Sequence, residues 1–314
     1  MEFRLTFSVH PPENKISYRD KMLLIGSCFA ENIGERMEQA AFNVAVNPNG
    51  ITYNPISIAN TISRLLADKE YSETELFYHN ELWSSWEHHG RYSNTDKSHC
   101  IRQINIGYST GREYIKNGQW LVVTFGSAWV YRLRSTGQVV NNCHKYPNKE
   151  FEKILLSPEE IIKTWQSLLA QIKSVNPGLN VIFTVSPVRY VRDGVTENNL
   201  SKAILLQSVH TLCKISEAYY FPAYELVMDD LRDYRFFEAD LVHPNRLAID
   251  YVWEKLLETC MDDESRAIYP QVKSLKEALA HRPFNPDTER HKKFVENTQR
   301  KKEELLKKYP FLKV

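Results

Sequence analysis

The chain has 314 residues, 42% hydrophobic, 25% charged and 12% aromatic, enough apolar material for one large α/β core or two smaller ones. Forty basic against 39 acidic residues leave a formal charge of +1, so no global field recruits nucleic acid or an anionic membrane surface. The five cysteines (Cys28, Cys100, Cys143, Cys213 and Cys260) are odd in number and lack CxxC spacing, which argues against a disulfide framework or a thiolate zinc site.

The first twenty residues hold no continuous apolar segment of signal-peptide type, and no later run approaches a membrane span. The sequence therefore predicts a soluble, cytoplasmic protein with reduced thiols and no membrane or nucleic-acid partner. It carries no signal of oligomeric state.

In chain order, the apolar run LLI (23–25) stops at Gly26-Ser27 and an amphipathic pattern begins at once, which predicts a strand and then a helix over about residues 28–40. FNVAV (42–46) predicts a second strand, followed by the turn-rich NPNG (47–50) and a helix over about 56–67. Residues 68–118, rich in Tyr, Trp, His and Ser, break this rhythm and read as an insertion over the strand ends, with FYHNELWSSW (77–86) as a short hairpin around His79-Asn80.

LVVTF (121–125) predicts a third strand ending at Gly126, and VIFTV (181–185) a fourth, followed by a helix over about 196–218. Between them SPEE (157–160) marks a helix start, with Ser157 as N-cap, Pro158 in the first turn and Glu160 three residues on. Four strands separated by helices imply parallel pairing and a three-layer α/β/α sandwich. After about residue 263 the pattern turns helical and charged, with nine Lys/Arg against five Asp/Glu over 287–314. The predicted organisation is thus an α/β domain over 1–263 and a peripheral helical extension over 264–314.

A strand that breaks at a glycine and turns straight into a helix presents its first side chain, Ser27, at the carboxyl end of the sheet, where α/β proteins keep their chemistry. EADLVHPNRLAIDYVWEKL (238–256) places Asp240 and His243 three apart before the last apolar helix of the domain. A carboxylate and an imidazole at that spacing can share a hydrogen bond that fixes the ring tautomer and leaves the other nitrogen as base. Plainer readings exist for each residue. Ser27 can serve only as the N-cap of its helix, and Asp240 as the N-cap of the next, with His243 packed in its first turn.

Cys28 is a rival nucleophile at a helix N-terminus, but its side chain points about 100° around the helix from that of Ser27, toward the core. Cys143-His144, and His88, His89, His99 and Cys100, lack metal-ligand spacing, so neither a metal nor any other cofactor is predicted. Arg189 in SPVR is a candidate contact for an anionic substrate group, with a surface ion pair as the alternative. Tyr78, Trp83, Trp86 and Tyr92 are either a sugar-stacking platform or an ordinary packing cluster.

GSCFA at 26–30 resembles the signature of the GSCFA family, within the broader SGNH or GDSL-like hydrolase superfamily. TFGSAWVY (124–131), NNCHK (141–145), SPVR (186–189) and DLVHPN (240–245) are similar to later blocks of that family, so the likeness covers about residues 20–260. It implies an SGNH/flavodoxin-like fold, Ser27 as nucleophile and Asp240 with His243 as its partners. It also implies an oxyanion hole drawn from the Ser27 backbone and from Gly50, the match to the second-block glycine.

The third block of the superfamily is Gly-x-Asn-Asp, but here Gly126 is followed by Ser127, Ala128 and Trp129. Asn142 reaching in from the next loop, a backbone donor, or an incomplete hole are the alternatives this leaves. By position Gly126, Ser127 and His144 join Arg189 as candidate substrate contacts, with local loop bracing as the alternative for Asn142 and His144. The activity implied is a serine esterase acting on O-acyl groups of a carbohydrate or small metabolite. An acyltransferase with the same triad, or a catalytically silent carbohydrate-binding module of this fold, are the alternatives.

Overall fold

A computed structural model gives the structure of the chain, described over residues 4–314. The elements run β1 (Lys21–Gly26), α1 (Cys28–Gln39), β2 (Asn43–Val46), α2 (Pro55–Leu66), β3 (Phe77–His79), β4 (Leu82–Ser84) and α3 (Lys97–Asn117). They continue with β5 (Trp120–Phe125), β6 (Trp129–Leu133), β7 (Val139–Val140), β8 (Phe151–Leu155), α4 (Pro158–Val175), β9 (Asn180–Val185), α5 (Val195–Ile215) and β10 (Tyr219–Tyr220). A short helix α6 (Ala223–Glu225) runs into a π-helical turn (Leu226–Leu231) and is followed by α7 (Arg246–Cys260), α8 (Asp263–Ala280) and α9 (Glu289–Lys308).

The four predicted strands and a short fifth form one parallel sheet in the order β10-β9-β5-β1-β2. Their near-continuous apolar sequences follow from burial on both faces. Met22 and Leu24 of β1 join one buried cluster with α1 and α7, while Leu23 and Ile25 join another with α2, α3, α4 and α5. The result is the predicted three-layer α/β/α sandwich. The sheet order reverses between β1 and β5, and the crevice at such a switch point is where open α/β sheets bind ligands.

Local chemistry sets the helix starts. Ser27 caps α1, Asn54 caps α2 with Pro55 in its first turn, and Ser157 and Glu160 form the expected capping box of α4. The predicted hairpin is present as β3–β4, and Asn80 and Glu81 at its tip both take positive φ, +47° and +63°.

The structure departs from the sequence reading in three places. Lys97–Asn117, inside the stretch read as irregular, is a 21-residue helix whose Cys100, Ile104, Tyr108, Gly111 and Ile115 face inward. A three-stranded antiparallel sheet, β7-β6-β8, occupies the segment between β5 and α4. The C-terminal segment is charged but not merely peripheral, because Ile268, Val272, Leu275, Leu305 and, beyond α9, Leu312 enter the cluster formed by α1 and α7. No helix among the described residues is long and apolar enough to cross a membrane.

Candidate active site

β1 ends in a tightly enclosed corner. The Gly26 N–H donates to Asn47 Oδ1 at 2.8 Å, its φ is +152°, and a Cβ there would lie 2.3 Å from the Thr124 carbonyl oxygen on β5. Only glycine fits this position. Ser27 follows, buried, in an extended conformation, with its Oγ accepting the Phe29 N–H at 3.2 Å. The plain reading of Ser27 as an N-cap is therefore correct as far as it goes. An oxygen that accepts a hydrogen bond keeps its own proton, however, so the capping contact leaves the hydroxyl able to give that proton to a base.

The adjoining N–H of Cys28, the first of α1, has no acceptor within the helix and sits at the positive end of the helix dipole. Burial, the largest cause, holds the Cys28 thiol above its ordinary pKa, against a smaller opposing pull from backbone amides and Lys202. A thiol so held is a poor nucleophile near neutrality.

Asp240 and His243 are joined as their spacing suggested. Asp240 Oδ1 accepts the N–H groups of Val242 (2.9 Å) and His243 (3.0 Å), and Oδ2 lies 2.7 Å from His243 Nδ1. The backbone and side-chain bonds to His243, then the backbone bond from Val242, pull the Asp240 carboxyl down to about 2. An ionised carboxylate at this distance favours the tautomer with the proton on Nδ1, which leaves Nε2 with a free lone pair. The alternative in which Asp240 caps α7 is overturned. The cap is Asn245, whose Oδ1 accepts the Ala248 N–H at 3.2 Å, so both residues lie in the loop before the helix.

That loop is fixed from both sides. The Glu238 N–H donates to the His243 carbonyl at 2.7 Å, and Phe237 pairs with Pro244. The Arg189 N–H, just beyond β9, donates to the Val242 carbonyl at 3.2 Å, and the Arg189 guanidinium lies over the rings of Phe237 and Tyr234, 4.4 and 5.4 Å from their centroids. Ser27 and His243 thus both stand at the carboxyl edge of the sheet, after β1 and against the segment after β9. The serine is 1% exposed, whereas the side chains of His243 and Asp240 are 48% and 49% exposed. In this structure Ser27 Oγ and His243 share no hydrogen bond.

Several other predicted contacts are placed elsewhere. The Gly50 N–H donates to the Asn47 carbonyl at 2.7 Å, closing the NPNG turn, so it does not serve as the expected oxyanion donor. The Ser27 N–H points to the Thr124 carbonyl at 3.3 Å. Gly126 and Ser127 both direct their N–H groups to the Tyr53 carbonyl, and Ser127 Oγ accepts the Trp129 N–H, so these two residues brace the backbone rather than face a substrate.

His144 uses Nε2 on the Ser85 carbonyl at 2.8 Å and packs edge-on to Phe77 and Trp86, which makes it a brace as well. Asn142 receives the His144 N–H on Oδ1 and has its Nδ2 near Gly90, beside the contact between His89 and Gly50. The loop that carries it is tied to the NPNGI turn by Asn141 Nδ2 donating to the Ile51 carbonyl at 3.2 Å. The four aromatic residues do not form one platform. Trp86 stacks on Phe77 and Tyr92 bonds to the Pro48 carbonyl, while Tyr78 and Trp83 pair across the exposed hairpin.

The sequence reading passed over three groups beside Ser27. Asn47 holds the end of β1, and its buried Nδ2 lacks a partner. Arg91 bonds Glu31 of α1 and the Asn47 carbonyl. Lys202 is fully buried, and burial pushes its ammonium down to about 7. Among the described residues no three His, Cys, Asp or Glu side chains gather where they could hold a metal ion. A cavity of about 1020 Å³ opens at the opposite edge of the sheet by Asp20, Trp120, Asn180 and Ser216, away from this chemistry.

Two solved structures similar to this chain are esterases. One is a carbohydrate esterase family 3 protein from Talaromyces cellulolyticus, at 10% identity and TM-score 0.36, covering 82% of this chain and 98% of that one. The other is a serine-to-alanine mutant of an acetyl esterase with acetate ion, also at 10% identity and TM-score 0.36, covering 83% of this chain and all of that one. Neither likeness is close enough to carry chemistry across. No curated protein matches the chain. The model of the GSCFA family matches residues 21–256, and that of the GSCFA domain protein, C-terminal domain, matches residues 272–314; the chain belongs to the GSCFA family.

Proposed function

We propose that the protein is a serine esterase of the SGNH type that hydrolyses O-acyl esters of a carbohydrate or small metabolite. The observation that carries this reading is the Asp240–His243 pair, joined through Oδ2 and Nδ1, on the same sheet edge as a buried serine at a helix N-terminus. His243 Nε2 removes the Ser27 proton as Oγ attacks the ester carbonyl, and Asp240 stabilises the imidazolium. The oxyanion meets the Cys28 N–H at the positive end of α1, with Asn142 Nδ2 as the side-chain donor. The imidazolium then protonates the leaving alcohol, and water, activated by the same base, releases the acid. A sugar hydroxyl in place of that water gives acyl transfer.

Two observations favour a second reading, a silent binding module of the same fold. The asparagine of the third block is absent after Gly126, and Ser27 does not contact His243 in the structure. Catalytic hydrogen bonds in substrate-free proteins are often long and tighten only when substrate arrives, so the missing contact alone does not decide against catalysis.

Hydrolysis of p-nitrophenyl acetate by wild type, Ser27→Ala, Cys28→Ala and His243→Ala separates these readings. The esterase reading expects loss in Ser27→Ala and His243→Ala and retention in Cys28→Ala, which keeps the backbone N–H. Equal background rates in all four proteins select the silent module, and loss in Cys28→Ala alone moves the nucleophile to the thiol. Added sugar acceptors that divert product from free acid to new ester identify the transferase.

A further inference from the structure

Lys202 is the one lysine among the buried residues of the described chain, at 2% exposure, and no carboxylate pairs with it. It lies on the inner face of α5 with Asn198, Ser201, Leu205, Val209 and Leu212. Its Nζ donates to the carbonyl oxygens of Gly126 and Ser186, both at 2.7 Å. These residues directly follow β5 and β9. The preceding residue, Ser201, accepts the Ala128 N–H at 2.7 Å, so one turn of α5 grips the chain leaving β5 at two points.

The other side of the Gly126 peptide faces the nucleophile. A Cβ on Gly126 would lie 3.4 Å from the Ser27 Cβ and 3.1 Å from the Tyr53 carbonyl. Ser27 therefore packs against a peptide whose position Lys202 sets from below. Of the groups packed around the amine, Cys28 on α1 is the titratable one coupled to it; the ends of β5 and β9 supply the two carbonyls.

An unpaired cation is costly to bury, and a neutral residue would fill the same space more cheaply. We propose that Lys202 is a positioning residue for the Ser27 site, clamping the ends of β5 and β9 through the Gly126 and Ser186 carbonyls and so fixing the peptide against which Ser27 is held. The proposal rests on Ser27 being the nucleophile. Both the ammonium and the neutral amine have enough N–H groups to hold the two carbonyls. The third position on nitrogen is a donor in one form and a lone pair in the other, so protonation changes what the amine turns toward Cys28 and Ser27 without opening the clamp.

The test compares wild type, Ser27→Ala, Lys202→Met and Lys202→Arg in p-nitrophenyl acetate hydrolysis across pH. The expected result is a fall in kcat of about tenfold to a hundredfold in Lys202→Met with KM little changed, since a small misplacement of reacting groups has that effect. Partial recovery is expected in Lys202→Arg, together with loss from Lys202→Met of one ionisation seen in the wild-type kcat profile.

A folded Lys202→Met with the wild-type kcat and pH profile overturns the proposal. Ser27→Ala as active as wild type overturns the nucleophile assignment, and the proposal with it. If Lys202→Met does not fold, wild type carrying carbon-13-labelled lysine decides. The titration of the Lys202 signal should move when a phosphonate ester is attached to Ser27, and an unchanged titration refutes the coupling.

Discussion

Replacing Lys202 with Met should change how stability depends on pH, by an amount the structure allows to be worked out. The lysine titrates at 10.5 when exposed and is pushed to about 7 in the folded chain, with burial as the main cause. At about 1.4 kcal/mol per unit this shift corresponds to about 5 kcal/mol. The sign follows from proton counting. Between the two values the unfolded chain keeps the proton and the folded chain releases it, so unfolding takes up a proton and stability rises with pH across that window. Below it both states are charged and the full cost of burying the charge remains. Above it both are neutral and the cost vanishes.

From about pH 7 to about pH 9 the wild type should gain about 2 kcal/mol relative to Lys202→Met. Taking the difference between the two proteins cancels the buried tyrosines and cysteines, whose raised pKa values act in the opposite sense at high pH. It also separates the charge effect from the pH-independent cost of leaving two carbonyls without a donor. Urea denaturation of both proteins at the two pH values measures it. Parallel stability curves would mean that the amine is not desolvated as its burial implies.

Three other substitutions or reactions probe the site. Asp240→Asn should lower kcat for p-nitrophenyl acetate by about a hundredfold to ten-thousandfold with little change in KM, because it removes the carboxylate that fixes the base tautomer; full activity would show that His243 is not the base. Gly26→Ala should cost about 3 kcal/mol in urea denaturation, since its Cβ would meet the Thr124 carbonyl at 2.3 Å, and a loss under about 1 kcal/mol would contradict the enclosed corner. Iodoacetamide should alkylate Cys28 more slowly than free cysteine near neutral pH, as its pKa is raised by burial; fast labelling would revive the thiol as nucleophile.

What the sequence disclosed and what it hid follow from burial. β1, β5 and β9 are covered on both faces, so their apolar runs stand out; β1 ends at Gly26, and Gly126 and Ser186 directly follow β5 and β9 where the chain leaves the sheet. β6 and β8 are partly exposed on an accessory sheet, and WVYRL and FEKIL mix charged and apolar residues accordingly. α3 was hidden by its polar average and its two glycines. The 100-104-108-111-115 stripe was there to be counted, and Gly107 is small because a Cβ would meet the Pro48 carbonyl at 2.3 Å.

At the site, the Asp240–His243 contact and the place of Ser27 at a strand-to-helix turn were legible because strand, turn and loop chemistry concentrate in short motifs. The Gly50 assignment failed because a motif does not say where an N–H points, and here the turn uses it. Lys202 had a readable signal, a lysine on the same helical face as Leu205, Val209 and Leu212. Helical amphipathicity is usually read for its apolar residues, and the single cation among them was passed over.

Capping and nucleophilic attack, the two readings of Ser27, make the same stereochemical demand. An N-cap must leave the helix in an extended conformation, and Ser27 does so at φ −67° and ψ 176°, with its oxygen turned toward the first amides of α1. A nucleophile in acyl transfer must place its oxygen within one bond of a carbonyl whose own oxygen then needs nearby donors. When the cap is the nucleophile, the Phe29 amide that satisfies its oxygen at rest belongs to the same helix end whose first amides the proposed mechanism offers to the oxyanion. A cap alone gives a serine at this position no reason to be enclosed between Gly26 and the Gly126 peptide that Lys202 holds, since water can satisfy helix amides at an exposed end. The enclosure, rather than the serine itself, is what favours the proposed site over an ordinary helix start.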